Sequence, residues 1–279
     1  MIEFKSFPNG FTYLSIINKS AKAKIALQGA HLFQYHRHGD TPLLYVSNTS
    51  HFETGKAIRG GIPVCWPWFG KHKNEKNFPQ HGFARTALWQ CIDTNEDDDH
   101  STEITLRLEN SQKNKSLWPY KSDLQLKFLI NDTLSLQLTT TNQDQESFTI
   151  SSALHSYFSV SDISSVIVKG LDNTPFIDTL TMDHKRQTGE ISITQETDRV
   201  YQETCHPIEL HDAERIVTIN NNGSKSVVLW NPWIEKSLTM ADLDDNGYKT
   251  MLCIETANAF NDERSLVPGE THTLGMIIS

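Results

Sequence analysis

Apolar and polar residues alternate along much of the chain. Ile104, Leu106 and Leu108 alternate with Thr105 and Arg107, Leu124, Leu126 and Phe128 with Gln125 and Lys127, and Leu134, Leu136 and Leu138 with Ser135 and Gln137. Successive side chains of an extended chain point to opposite faces, so a period of two predicts strands with one buried face. The last two runs flank the polar Asn131-Asp132 and predict a hairpin. Its second strand runs on into Thr139-Thr140-Thr141, whose branched side chains favour extension. Further short strands are predicted at Ala23 to Leu27, Ser147 to Leu154, Val166 to Lys169, Ile216 to Ile219, Ser226 to Trp230 and Leu274 to Ile278. Turn signals separate them: Gly39-Asp40, Asp97-Asp98-Asp99, Asp172-Asn173, Asn222-Gly223, Asn246-Gly247 and Pro268-Gly269. No amphipathic helix of about 12 residues is predicted between them. Many short strands punctuated by turns predict an all-β sandwich or barrel. No Pro, Gly or Ser-rich linker and no shift of composition divides the chain, so 1–279 reads as a single domain.

Composition narrows the class. Hydrophobic residues make up 37% of the 279 and charged residues 21%, which fits a globular chain and not a disordered one. There is no apolar run of about 18 residues to span a membrane. The first ten residues carry Glu3, Lys5 and Pro8 and lack the apolar core of a secretory signal, so a cytoplasmic location is expected. The net charge of −9 argues against nucleic acid as a partner. It also means that an anionic ligand needs a locally positive site. Cys65, Cys91, Cys205 and Cys253 form no C-x-x-C pair and are expected to be free, buried thiols.

Four short blocks hold the candidate chemistry. They are Arg59-Gly60-Gly61 leading into Cys65-Trp66-Pro67-Trp68-Phe69-Gly70, then Gln80-His81-Gly82-Phe83-Ala84-Arg85, then Leu154-His155-Ser156-Tyr157-Phe158, then Cys253-Ile254-Glu255-Thr256-Ala257-Asn258. Arginine suits phosphate, because its planar fork bonds two oxygens at once. Histidine and glutamate suit proton transfer. Each residue also has a plainer reading: His155 as a satisfied core histidine, Glu255 as half of a structural ion pair, Arg59 and Arg85 as solvated surface groups. Gly60 and Gly61 would let backbone approach a ligand closely. Trp66, Trp68, Phe69 and Phe83 are either core residues or platforms for the apolar face of a sugar ring.

Together with Val228-Leu229-Trp230-Asn231-Pro232-Trp233, Lys236-Ser237, Met240-Ala241-Asp242 and Pro268-Gly269-Glu270, these blocks resemble the hexose-6-phosphate mutarotases, a branch of the aldose 1-epimerase superfamily. The resemblance implies a large antiparallel β-sandwich with its site on a concave face. It implies interconversion of the anomers of a hexose 6-phosphate, with glucose 6-phosphate the foremost candidate. Glu255 would take the proton of the anomeric hydroxyl and His155 would protonate the ring oxygen. Arg59, Gln80, His81 and Arg85 would bind substrate, as would Asp198, which matches the family's aspartate in Asp198-Arg199-Val200-Tyr201. Neither cofactor nor metal is implied. With reference values near 4.3 and 6.5, an ionised Glu255 beside a protonated His155 is expected below about pH 6.5, and a nearby carboxylate would extend that range by raising the histidine.

Two other readings of the site stay open: a sugar-phosphate binding module without catalysis, and a mutarotase of unphosphorylated aldoses. The acid/base pair speaks against the first. Two arginines speak against the second, as does the segment Leu154-His155-Ser156-Tyr157-Phe158-Ser159-Val160 in place of the Asn-His-x-Tyr pattern of the unphosphorylated branch. Asp242-Leu243-Asp244-Asp245-Asn246-Gly247 opens like an EF-hand loop, but its twelfth position is Cys253 and not an acidic ligand, so a polar hairpin turn is expected. His31, His36 and His38 lack a carboxylate or thiol that would complete a metal site. The oligomeric state is open, a monomer included.

Overall fold

The computed structural model describes residues 1–97, 99–108, 114–213 and 215–279. Strands dominate, and every ladder between them is antiparallel among the described residues. The predicted hairpin forms between Ser122–Ile130 and Leu134–Asn142, with Leu126 opposite Leu138 and Phe128 opposite Leu136. Its threonines pair sideways with the strand Thr271–Ile278, where Thr139 and Thr273 share a hydroxyl bond of 3.0 Å.

This hairpin lies inside a nine-stranded sheet that runs from Ile191–Ser192 at one edge to Trp89–Asp97 at the other. An eight-stranded sheet packs on it. Its order is Asp183–Arg186, Pro175–Asp178, Thr197–Gln202, Ser226–Asn231, Met251–Asn258, Ser152–Leu154 and Val64–Cys65, with Tyr157–Ser159 also pairing onto Met251–Asn258. The first four strands, Ile2–Ser6 to His31–Arg37, form a separate meander.

Alternation gives the eight-stranded sheet two different faces. On the inner face Leu154, Val227, Leu229, Leu252 and Ile254 join Leu126, Phe128, Leu136, Leu274 and Met276 of the larger sheet in one buried cluster. Each such side chain contributes about 1.5–3 kcal/mol through burial. Polar inner positions are bonded across the layer: Thr256 Oγ1 donates to Asn221 Oδ1 at 2.5 Å, and Ser156 Oγ to Met276 Sδ at 3.5 Å. The outer face carries Cys65, Ala153, Val200, Val228 and Ala257 in one small cluster and Tyr157, Trp230 and Cys253 in another.

Several expectations are corrected. Ser147 to Leu154 is split at Ser151 into Phe148–Ile150 and Ser152–Leu154, which join different sheets. Asp242 to Gly247 is not a hairpin turn; it leads from the short helix Trp233–Thr239 to the 3-10 turn Gly247–Thr250. Its carboxylates serve as anchors, Asp244 accepting from the Asn48 backbone at 3.0 Å and Asp242 from Arg59. Cys65 and Cys253 are buried, but Cys205 is exposed and Cys91 half-buried. Asp98, from the acidic turn, lies outside the described residues.

Candidate active site

His155 and Glu255 meet because of strand register. Leu154 faces Thr256, and Tyr157 faces Cys253. The pairing count therefore runs unbroken through the two residues between them and sets His155 opposite Glu255, on the outer face. His155 Nε2 lies 3.3 Å from Glu255 Oε1, with the two residues only 8% and 2% exposed. His155 Nδ1 and Glu255 Oε2 are buried without a hydrogen-bond partner among the described residues. An unbonded buried donor or acceptor is costly, so two on one pair mark a place built for a further polar group.

Aromatic rings fix the imidazole. Tyr157 stacks on it at 4.8 Å and 9°, Trp230 meets it edge-on at 6.2 Å, and His81 at 5.7 Å. The same face continues across the sheet. Asp198 is opposite Trp230, which is opposite Cys253, which is opposite Tyr157.

Of the remaining candidates, His81, Arg85 and Arg59 lie close enough to act on His155 electrostatically, and Asp198 on Glu255. His81 has a positive φ of 63°, and its Nδ1 accepts from the Gly70 amide at 3.2 Å. That bond assigns the ring proton to Nε2 and makes it a donor. Arg85 sits in the short turn Ala84–Thr86, donates to the Gln80 carbonyl at 2.7 Å, and has no ion pair among the described residues. Gln80 is exposed. Arg59 is differently placed: Nη1 donates to Tyr157 Oη at 2.9 Å and Nη2 to Asp242 Oδ2 at 3.0 Å.

The glycines beside Arg59 serve the protein's own packing. A Cβ on Gly60 would lie 2.4 Å from the Tyr45 carbonyl oxygen, and one on Gly61 2.4 Å from that of Leu32. Of the four aromatics read as core or platform, Trp66, Trp68 and Phe83 belong to the main core, and Phe69 packs on the outer-face cluster. Each histidine of the His31, His36, His38 set meets a different backbone carbonyl, and no group of three or more potential metal ligands occurs among the described residues.

Electrostatically, burial dominates. Desolvation, reinforced by the charge of Asp198, raises the Glu255 carboxyl well above its ordinary value of 4.5. Desolvation, with His81, Arg85 and Arg59 adding to it, holds His155 well below 6.5. The expectation that a nearby carboxylate raises the histidine is corrected: burial and the neighbouring basic groups lower it. His81 is pushed down to about 3, first by burial and then by Arg85 and Arg59. Burial also raises Asp198. The pair favours holding one proton between its two members, since burial penalises both the doubly protonated cation and the fully deprotonated anion.

A stability consequence follows. The folded chain keeps the Glu255 proton above the pH at which the unfolded chain releases it, so this contribution is full below about pH 4.5 and is lost as pH rises through the folded value. Glu255→Gln removes the loss. Its melting temperature is expected to match wild type near about pH 4 and to exceed it by a few degrees near about pH 8. Thermal melts at both pH values check this, and a gap that narrows with rising pH contradicts it.

The chain is similar to known proteins over most of its length. The family model described as aldose 1-epimerase matches residues 13–279. A provisionally assigned glucose-6-phosphate 1-epimerase of Salmonella typhimurium is 39% identical over 245 residues, covering 85% of this chain and 80% of its own. One from Escherichia coli, also provisional, is 38% identical over 248 residues, covering 87% and 82%. The crystal structure of a provisionally assigned mutarotase from Salmonella typhimurium superposes with a TM-score of 0.93 at 33% identity, covering 99% of this chain and 92% of that one. A histidine and a glutamate joined by register on the outer face of an antiparallel sheet, within a family match over nearly the whole length, place this chain in the aldose 1-epimerase family.

Proposed function

We propose that the protein interconverts the α and β anomers of a hexose 6-phosphate, glucose 6-phosphate foremost, by opening and closing the sugar ring, and that it does so in the cytoplasm as a single-domain enzyme. The observation that carries the reading is the buried His155–Glu255 contact with one unbonded polar atom on each partner. Glu255 takes the proton of the anomeric hydroxyl as the C1–O5 bond breaks and the aldehyde forms. His155 gives a proton to the departing ring oxygen. Rotation about C1–C2 presents the other carbonyl face, and both transfers then run backwards to close the other anomer. The pair begins and ends each cycle with one shared proton. Burial sets that proton on Glu255 at rest, so the reacting form is the one in which it has crossed the 3.3 Å contact to His155.

The assigned substrate class draws its support from Arg85, whose guanidinium has no carboxylate partner among the described residues, and from the named relatives above. His81 Nε2, Gln80 and Asp198 offer polar groups suited to sugar hydroxyls. The test is polarimetry on a freshly dissolved single anomer of glucose 6-phosphate. Approach to the anomeric equilibrium should be faster with the protein than without. Tight binding with no acceleration would support the binding-module reading instead.

A further inference from the structure

We propose that Asp242, Arg59 and Tyr157 form a chain that positions the imidazole of His155. The inference rests on His155 being the acid of the proposed reaction. A parallel ring stack at 4.8 Å sets the plane of the imidazole. The Tyr157 ring is itself set at both ends: by its strand, which pairs it with Cys253, and by its hydroxyl, which accepts from Arg59 Nη1 at 2.9 Å. Arg59 is held in turn by Asp242, at 3.0 Å from Nη2. A guanidinium is planar and rigid, so bonds at both terminal nitrogens fix its orientation. Asp242 also supplies the countercharge that a largely buried arginine requires.

The motif-bearing Arg59 thereby acquires a role other than phosphate capture. Each terminal nitrogen uses one N–H within the protein and Nε is buried without a partner among the described residues, so the guanidinium keeps donors for an anion beside its positioning bonds. The two roles can coexist, and neutralising Asp242 reads them on different kinetic constants. A positioning chain weakens turnover and leaves substrate affinity alone. A phosphate ligand freed from its rival carboxylate binds phosphorylated sugar more tightly.

The experiment compares wild type with Asp242→Asn, Tyr157→Phe and the double variant, on glucose 6-phosphate and on glucose. Each single change is expected to lower kcat by about tenfold on both sugars with KM nearly unchanged, the loss typical of a reacting group allowed to drift. Because the two residues act in series through Arg59, the double variant should lose little more than the worse single. Nitrogen NMR of labelled histidine should show the His155 resonances displaced in both single variants, a readout that needs no turnover. Unchanged resonances, losses that multiply, or a kcat on glucose left unchanged by Asp242→Asn would each overturn the chain. A wild type that turns over neither sugar, with the resonances displaced as expected, would instead overturn the proposed function.

Discussion

Glu255→Gln and His155→Ala should each lower kcat for glucose 6-phosphate by roughly 10²–10⁴, the usual contribution of one positioned proton-transfer group. Glutamine keeps the size and hydrogen-bonding shape of Glu255 but cannot accept the anomeric proton. Alanine leaves the ring oxygen with no donor at the Nδ1 position. Neither residue belongs to the inner-face cluster that joins the two sheets, so both variants should fold. Steady-state kinetics on variants with wild-type circular dichroism decide the matter. A folded variant that turns over at nearly the wild-type rate would remove that residue from the reaction.

Arg85→Ala should weaken kcat/KM for glucose 6-phosphate by roughly 10- to 100-fold and leave free glucose nearly untouched. A hydrogen bond to a charged group is worth about 1.5–3 kcal/mol, and about 1.4 kcal/mol is a factor of ten. Arg85 is expected to supply that bond, because its guanidinium meets only the Gln80 carbonyl among the described residues. Arg59→Ala should behave differently, with losses on both sugars, because its terminal nitrogens hold Tyr157 and Asp242. Measuring kcat/KM for both sugars on the three proteins separates the two arginines. Equal losses on both sugars for Arg85→Ala would remove phosphate from its role.

The sequence carried the core better than the edges, for a physical reason. Strands with one buried face announce themselves by alternation, and the runs around Leu126, Leu136 and Leu274 all appear near their predicted places. Ile2–Ser6 is largely exposed, Asp183–Arg186 wholly so, and Trp89–Asp97 is exposed throughout beyond Cys91. With no buried face, those strands leave no pattern to read. The site was legible as residue types in blocks, but not as geometry. His155 and Glu255 meet through a register continued across a gap between two short strands, and register is set by the whole sheet. The Arg59–Asp242 pair joins two loops, which have no periodicity. Tyr157 and Trp230 stood inside the motif segments with no role of their own, and only the folded sheet lines them up beside the imidazole. The downward push on His155 comes from burial, a quantity that composition does not contain.

The central claim is that His155 and Glu255 act as one unit on the sugar ring. Magnetisation exchange between the α and β anomers of glucose 6-phosphate at equilibrium tests it most directly, on wild type, each single variant and His155→Ala/Glu255→Gln together. Residues that work as a unit are strongly non-additive. Exchange should be fast with wild type, and the double variant should fall no further than the worse single variant. Losses that multiply in the double variant, or exchange that persists in it while the protein remains folded, would contradict the claim.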